Sequence, residues 1–143
     1  MKHIMNLPNA DDMNYWKTSK VDADTWIDKT KLLITGFGGT ILGDAYGNDV
    51  NIGRSAYMIH FSIGTDTFKL VWPVLPSEEL KAARRQAATM LYHDTKAKCL
   101  KAAIFGARTA FFEYLILPDG RQASQLSSPE ILAHMPELLK IEK

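Results

Sequence analysis

Residues 56–76, AYMIHFSIGTDTFKLVWPVLP, decide the fold. On both sides of a Gly64–Asp66 turn, apolar side chains alternate with smaller or polar ones, which is the period of a half-buried β-strand. One face of this pair collects Tyr57, Ile59, Phe61, Ile63, Phe68, Leu70, Trp72 and Val74. Two such runs around a short turn predict an antiparallel hairpin. Pro73 and Pro76 close the hairpin, because proline cannot donate to a strand ladder.

A shorter helix and a strand precede the hairpin. Asp22 or Asp24 is the predicted N-cap of the helix, and glycines within residues 36–39 end it. Three-and-four spacing places on one face Trp26, Ile27, Thr30, Leu33, Ile34 and Phe37. A short strand is then predicted from Thr40 to Tyr46. The Gly-Asn-Asp sequence at residues 47–49 predicts a loop after it.

A long helix follows the hairpin. Ser77 is a favourable N-cap, and acidic residues next to it suit the helix dipole, so we predict a helix from Glu78 to about Ile104. Gly106 is expected to end this helix. Phe111 to Leu117 is apolar and aromatic enough to predict a last strand. A short helix from Glu130 to Met135 is predicted near the end of the chain.

This order of elements predicts an α+β fold: a small antiparallel sheet with a β-β-β-α core and one long helix packed on one face. We find no internal repeat or low-complexity segment. The predicted organisation is therefore an N-terminal arm at residues 1–20, one α+β domain at residues 21–125 and a C-terminal helical tail at residues 126–143.

Composition excludes several classes of protein. The 143 residues are 46% apolar and 23% charged with a net charge of +1, which is typical of an ordinary globular domain and not of a histone-like polycation. The single cysteine, Cys99, excludes an intrachain disulfide and the multi-cysteine zinc modules. Apolar runs are far shorter than the ~18 residues that a membrane span needs, and residues 1–14 do not resemble a signal peptide. A cytoplasmic protein without a membrane partner is expected.

Positive charge gathers on the long helix. Between Ser77 and Arg108 there are seven basic and three acidic residues, an excess of four. At 100° per residue, one side of the helix collects Lys81, Arg85, Tyr92 and Lys96, with Arg84 at its margin; the opposite side collects Leu80, Ala83, Ala87, Met90 and Leu91. A basic stripe beside an aromatic ring suits a phosphate backbone and a stacked base. The alternative is a solvated helix face whose long stems shield apolar neighbours.

The sequence contains few residues that indicate a catalytic, metal or cofactor site. His60, His93 and Asp94 are the residues on which a catalytic role could rest, but residues 92–94 are consecutive and point in different directions on a helix. No two histidines stand at metal-ligand spacing. The glycines at residues 36–39 lack the third glycine and the preceding strand of a dinucleotide-binding loop. The sequence therefore predicts no catalytic residue, metal or cofactor and favours a non-enzymatic role, although enzyme activity stays open.

Residues 71–120 resemble a large group of small, uncharacterised proteins of bacteriophages and prophages. The shared features are Arg84-Arg85, Lys96-Ala97-Lys98 and the aromatic-rich segment that ends in Leu117-Pro118-Asp119-Gly120. This resemblance implies a mobile-element origin and a bacterial host cell, and it implies no biochemical activity. The order of three strands and a basic helix is also loosely similar to single-strand annealing proteins, in which such a helix and the sheet edge hold a DNA backbone.

Together these observations predict a non-enzymatic phage or mobile-element protein that binds nucleic acid, in particular single strands. The predicted binding residues are Lys81, Arg84, Arg85, Tyr92 and Lys96. The alternative is an oligomeric protein–protein interaction module, such as an accessory factor or a host-defence inhibitor. Its docking surface would be aromatic and would comprise Trp72, Phe105, Phe111 and Phe112.

Overall fold

A computed structural model describes residues 8–12, 21–49 and 53–123 of the chain. In this part of the chain the elements follow the order α1 (Ala23–Gly36), β1 (Thr40–Asp49), β2 (Arg54–Ile63), β3 (Asp66–Pro73), α2 (Leu80–Phe105) and α3 (Ala107–Ala110). Two short 3-10 turns, Ala10–Asp12 and Phe112–Tyr114, lie before α1 and after α3.

The three strands form one antiparallel sheet in the order β1-β2-β3. The predicted hairpin is β2 and β3, and its register pairs Ile59 with Leu70 and Phe61 with Phe68. These four side chains are fully buried. The helices lie on one side of the sheet, so the predicted α+β class, with three strands followed by a long helix, is confirmed.

Three phenylalanines form the centre of the core. The rings of Phe61 and Phe68 stack with centroids 5.2 Å apart, and the edge of Phe111 meets Phe61 at 5.4 Å. Toward this cluster, α2 presents Leu91 and a set of small side chains, namely Ala83, Ala87, Ala88 and Ala102. Alanine has little bulk, so this helix can pack close to its neighbours.

The first helix begins and packs as the sequence predicts. Asp22 is its N-cap, and the carboxylate accepts a hydrogen bond of 2.8 Å from the backbone N–H of Thr25. The buried residues Ile27, Thr30 and Ile34 belong to the predicted apolar face. Because the face that α1 buries is the predicted one, its three-and-four spacing is confirmed.

The first strand is longer than expected. The loop predicted at residues 47–49 is wrong: these residues continue β1 and pair with residues 54–56 of β2. Turn preference at Gly47 and Asn48 is a weak local effect, and a ladder of hydrogen bonds with a neighbouring strand outweighs it.

The long helix begins two residues later than predicted. Glu79 is the residue before its first turn, and Ser77 is not the N-cap. The Ser77 hydroxyl instead accepts a hydrogen bond from the backbone N–H of Glu79 and donates one to Asp11, each 3.0 Å long. These bonds hold a turn ahead of α2. The predicted end at Gly106 is confirmed, and this glycine has a φ of 93°.

No last strand forms over Phe111 to Leu117, which corrects the sequence prediction. The segment follows α3 and contains the Phe112–Tyr114 turn and isolated bridges from Leu115 to Phe68 and from Ile116 to Gln122. Phe111 points into the core, where it is fully buried. A short apolar run is compatible with either a strand or a buried turn, so the composition did not distinguish the two.

One residue of the predicted N-terminal arm contributes to the core. Ala10 is buried, and its backbone N–H donates to the carbonyl of Pro76 at 2.8 Å. The side-chain amide of Gln86, on α2, donates to the carbonyl of Ala10 at 3.4 Å. The helix predicted from Glu130 to Met135 lies outside the described residues, and the division into arm, domain and tail stays a prediction.

Candidate functional site

An open cleft lies between the N-terminal ends of α1 and α2. Its volume is about 580 Å³, and it is lined by Asp22, Ala23, Asp24, Leu80, Lys81, Arg84 and Arg85. Three of the five predicted binding residues are in this list. The structure therefore brings Lys81, Arg84 and Arg85 to one concave surface.

Two tyrosines of the sheet hold the side chain of Arg84. Its Nε donates a hydrogen bond of 2.9 Å to the Tyr57 hydroxyl, and its guanidinium carbon lies 4.2 Å from the centre of the Tyr46 ring. Tyr46 and Tyr57 are opposite each other in β1 and β2, with ring centroids 5.0 Å apart. This arrangement fixes the direction of the guanidinium before any ligand arrives.

The ionisation of this group is also fixed. The hydrogen bond with Tyr57 raises the pKa of Arg84, and burial raises the pKa of the Tyr57 hydroxyl. Arg84 therefore stays cationic, and Tyr57 stays neutral, throughout the physiological range. Within residues 8–12, 21–49 and 53–123, no carboxylate forms an ion pair with Arg84 or Lys81.

The opposite wall of the cleft is acidic. Asp22 caps α1 and Asp24 lies in its first turn, where the helix dipole stabilises carboxylates. Hydrogen bonds from Thr25 lower the pKa of Asp22, and the charges of Lys81 and Arg85 lower it further. With two carboxylates against three cations, the cleft keeps a small positive excess.

The remaining two predicted binding residues lie farther along α2. The ring of Tyr92 is half-buried and packs against Trp26 of α1, with centroids 4.9 Å apart. Lys96 is exposed, and fifteen residues of helix separate it from Lys81, which corresponds to about 22 Å. The expected stripe is therefore not one continuous outward surface, because α1 packs beside its middle.

Ion pairs neutralise part of the positive charge that the sequence places in this region. Lys98 lies 2.9 Å from Glu113 and donates a hydrogen bond of 3.1 Å to Asp94. Arg108 makes two hydrogen bonds, 2.7 and 2.8 Å long, to the carboxylate of Asp66. Both pairs tie the end of α2 and α3 to neighbouring segments, and they leave the cleft as the place where helix cations converge.

Sequence reasoning missed Tyr46 and Tyr57 as parts of the site. Their alternation with neighbouring residues showed that they belong to strands, but the contact with Arg84 depends on how β1 and α2 meet in space. The acidic wall was also missed, since Asp22 and Asp24 were considered only as helix caps. The sequence placed both tyrosines on predicted strands, and the register that puts them opposite each other is seen in the structure.

The residues considered for catalysis are not arranged as a catalytic group. His60 is exposed on β2, His93 packs near the Trp26 ring, and the Asp94 carboxylate is bound by Lys98. Burial raises the pKa of the Cys99 thiol, which disfavours the reactive thiolate. Among the described residues, no three His, Cys, Asp or Glu side chains are grouped so that they could hold a metal ion.

The four aromatic residues of the alternative docking surface differ in exposure. Phe111 is fully buried in the core, and Trp72 and Phe112 are partly buried against it. Phe105 alone of the four is well exposed. Phe111 therefore cannot take part in docking, and the protein-interaction alternative stays a prediction.

Comparison with protein-family models, curated proteins and solved structures found no match. The resemblance to phage proteins and the mobile-element origin stay predictions. Over the described residues, none of the helices combines the length and the apolar character that crossing a bilayer requires.

Proposed function

We propose that this protein binds single-stranded nucleic acid, with the phosphate backbone held in the cleft between α1 and α2. The observation that carries the proposal is the convergence of Lys81, Arg84 and Arg85 on one open surface. Phosphate contacts supply most of the affinity in such complexes, and clustered cations provide them. The binding step needs no metal, cofactor or chemical reaction.

The fixed position of Arg84 supports this proposal. A guanidinium offers five N–H donors in a plane, and the hydrogen bond to Tyr57 uses only the Nε donor. The other donors belong to the outer nitrogens, which bind phosphate oxygens in pairs. Since Tyr46 and Tyr57 already restrict the side chain, binding costs less conformational entropy than it would for a free arginine.

The aromatic ring beside Arg84 favours a single strand over a duplex. Tyr46 is 36% exposed and lies on the edge strand β1, where its ring contacts the guanidinium of Arg84, a residue of the cleft. Unpaired bases stack on exposed aromatic rings, whereas the bases of a duplex are already stacked on one another. We therefore assign a stacking role to the exposed part of the Tyr46 ring, beside its contacts with Arg84 and Tyr57, in addition to the predicted Tyr92, whose ring also packs against a neighbour, Trp26.

A charge reversal with a matched control tests the proposal. Lys81→Glu places a carboxylate in the cleft, whereas Lys101→Glu makes the same change at an exposed position on the same helix, about 30 Å away. Binding of a fluorescein-labelled 20-nucleotide oligothymidylate is followed by anisotropy at about 50 mM salt. We expect Lys81→Glu to weaken binding at least about tenfold and Lys101→Glu to change it less than about twofold.

Two outcomes would overturn the proposal. The first is the absence of saturable binding by the wild-type protein at this salt concentration. The second is equal weakening by Lys81→Glu and Lys101→Glu, because a general charge effect does not depend on position. Circular dichroism of both variants shows whether each keeps the helical content of the wild type.

A further inference from the structure

A second surface lies on the outward side of the C-terminal half of α2. We define the outer stripe as His93, Ala97, Leu100 and Ile104, which are all exposed. Their spacing of four, three and four residues places them on one side of the helix. Leu100 is 65% and Ile104 is 76% exposed, so the centre of this side is apolar and uncovered.

Two lysines border the outer stripe. At 100° per residue, Lys96 and Lys101 fall on opposite sides of the line through Leu100 and Ile104, and both lysines are exposed. The sequence contains no acidic residue between Asp94 and Glu113, and Asp94 itself is bound by Lys98. The surface is therefore apolar in its centre, and Lys96 and Lys101 give its borders a positive charge.

The N-terminal half of the same side of α2 is already covered within the chain. Gln86 and Ala82 lie on the continuation of the outer stripe, and both are buried. Gln86 donates to the carbonyl of Ala10, whose methyl group belongs to the core. The outer stripe thus continues an existing packing surface beyond the point where the described residues of the chain cover it.

We infer that the outer stripe binds an amphipathic helix of a partner protein, with apolar residues at its centre and acidic residues at its borders. The small side chain of Ala97 between larger neighbours gives the groove into which a ridge of a second helix fits. Acidic residues at the borders of the partner helix would form ion pairs with Lys96 and Lys101. Flanking charges of this kind determine which helices pair in coiled coils.

A second copy of this chain fits the outer stripe less well. Pairing two copies face to face would bring the lysine borders together, and like charges at such positions are unfavourable. Nucleic acid is also disfavoured, because its backbone would cover Leu100 and Ile104 without an apolar counterpart. This interaction is independent of the proposed cleft, which lies at the other end of α2.

The test uses a designed probe. A labelled 21-residue helical peptide carries leucine at every core position and glutamate at the positions that flank the core; a second peptide carries lysine at those flanking positions. We expect the wild-type protein to bind the glutamate peptide saturably and at least about tenfold more tightly than the lysine peptide. Leu100→Ser combined with Ile104→Ser should abolish most of this binding.

Control variants distinguish binding at the outer stripe from nonspecific hydrophobic binding of the peptide. Leu32→Ser removes an equally exposed leucine, 69% accessible, from α1 and should leave peptide binding unchanged. Lys96→Glu combined with Lys101→Glu leaves the apolar centre intact and should reverse the preference between the two peptides. Lys81→Glu should not affect either peptide, so the outcome does not depend on nucleic-acid binding.

Three results would overturn the inference: no saturable binding of the glutamate peptide, equal binding of both peptides, or binding that survives Leu100→Ser with Ile104→Ser. Sedimentation of the chain alone provides a further check. A dimer that the same double substitution dissociates would assign the outer stripe to a second copy and contradict an acidic helical partner.

Discussion

At the scale of single residues, the contact between Arg84 and Tyr57 links the cleft to the sheet. Tyr57→Phe keeps the buried ring but removes the oxygen that accepts from Arg84 Nε. We predict that the free energy of unfolding falls by about 1 kcal/mol, the usual contribution of one such hydrogen bond. Oligonucleotide binding should weaken too, because the guanidinium is no longer held. Urea unfolding and anisotropy measure the two effects.

The matched control for this prediction is Tyr46→Phe. The Tyr46 ring contacts Arg84 through its face, and the substitution keeps that ring. Tyr46→Phe should change the free energy of unfolding by less than about 0.5 kcal/mol, as expected for a surface substitution that leaves packing intact. Equal destabilisation by both substitutions would show that the Tyr57 hydroxyl has no special role.

Asp22 gives a prediction about pH. Hydrogen bonds from Thr25 lower the pKa of Asp22 below its ordinary value of 3.8, so the capping contribution is present above that value and is lost as the pH falls through the folded pKa. Asp22→Asn keeps a good cap that does not titrate. We predict that, as the pH falls from about 5 to about 2, the Tm of the wild type falls more than the Tm of Asp22→Asn.

Thermal unfolding followed by circular dichroism measures this difference. Asp22→Ala serves as the control, since it has no capping side chain and should have a lower Tm than either protein at pH 7. A Tm difference between wild type and Asp22→Asn that stays constant over the acidic range would show that Asp22 does not act as a charged cap.

At the scale of elements, the connection between α1 and β1 is closely packed. A Cβ at Gly39 would lie 2.6 Å from the Ile34 side chain and 3.0 Å from its carbonyl oxygen, whereas one at Gly36 would have no neighbour within 4 Å. We predict that Gly39→Ala destabilises the protein by about 1–3 kcal/mol, the range for overpacking. Gly36→Ala, at the end of α1, should be neutral or stabilising by up to about 1 kcal/mol.

Urea unfolding of both alanine variants checks this prediction. Similar midpoints for Gly39→Ala and Gly36→Ala would contradict the close approach of Gly39 to Ile34. The two substitutions add the same methyl group, so the comparison contrasts the crowded position at Gly39 with an open helical position at Gly36, where alanine also favours the helix.

The sequence predicted those elements whose pattern is strong in their own residues. The β2–β3 hairpin and α1 were predicted with their buried faces, because alternation and three-and-four spacing persist over many residues there. The extension of β1 through Asp49 could not be predicted, since it depends on pairing with Arg54 in the neighbouring strand. The predicted strand from Phe111 to Leu117 was wrong for a similar reason. Whether its apolar residues form a strand or a buried turn depends on a core that three other elements build.

At the scale of the whole molecule, the sequence predicted where positive charge accumulates but not how it is distributed in space. The excess of basic residues belongs to α2 and its surroundings, and this much is visible in the chain. The spacing of four residues between Asp94 and Lys98 already indicates an ion pair in the sequence, and the structure contains it. The pairs of Lys98 with Glu113 and of Arg108 with Asp66, the latter 42 residues apart, are visible only in the folded structure. The position of α1 beside Tyr92 likewise depends on tertiary packing.

The salt dependence of oligonucleotide binding tests the central claim most directly. If three cations of the cleft each neutralise one phosphate of a single strand, the logarithm of the association constant should fall with the logarithm of salt concentration at a slope of about −2. Lys81→Gln should make this slope shallower by about 0.7. Anisotropy titrations between about 50 and 200 mM salt give both values. A slope near zero, or one that Lys81→Gln leaves unchanged, would contradict phosphate binding in the cleft.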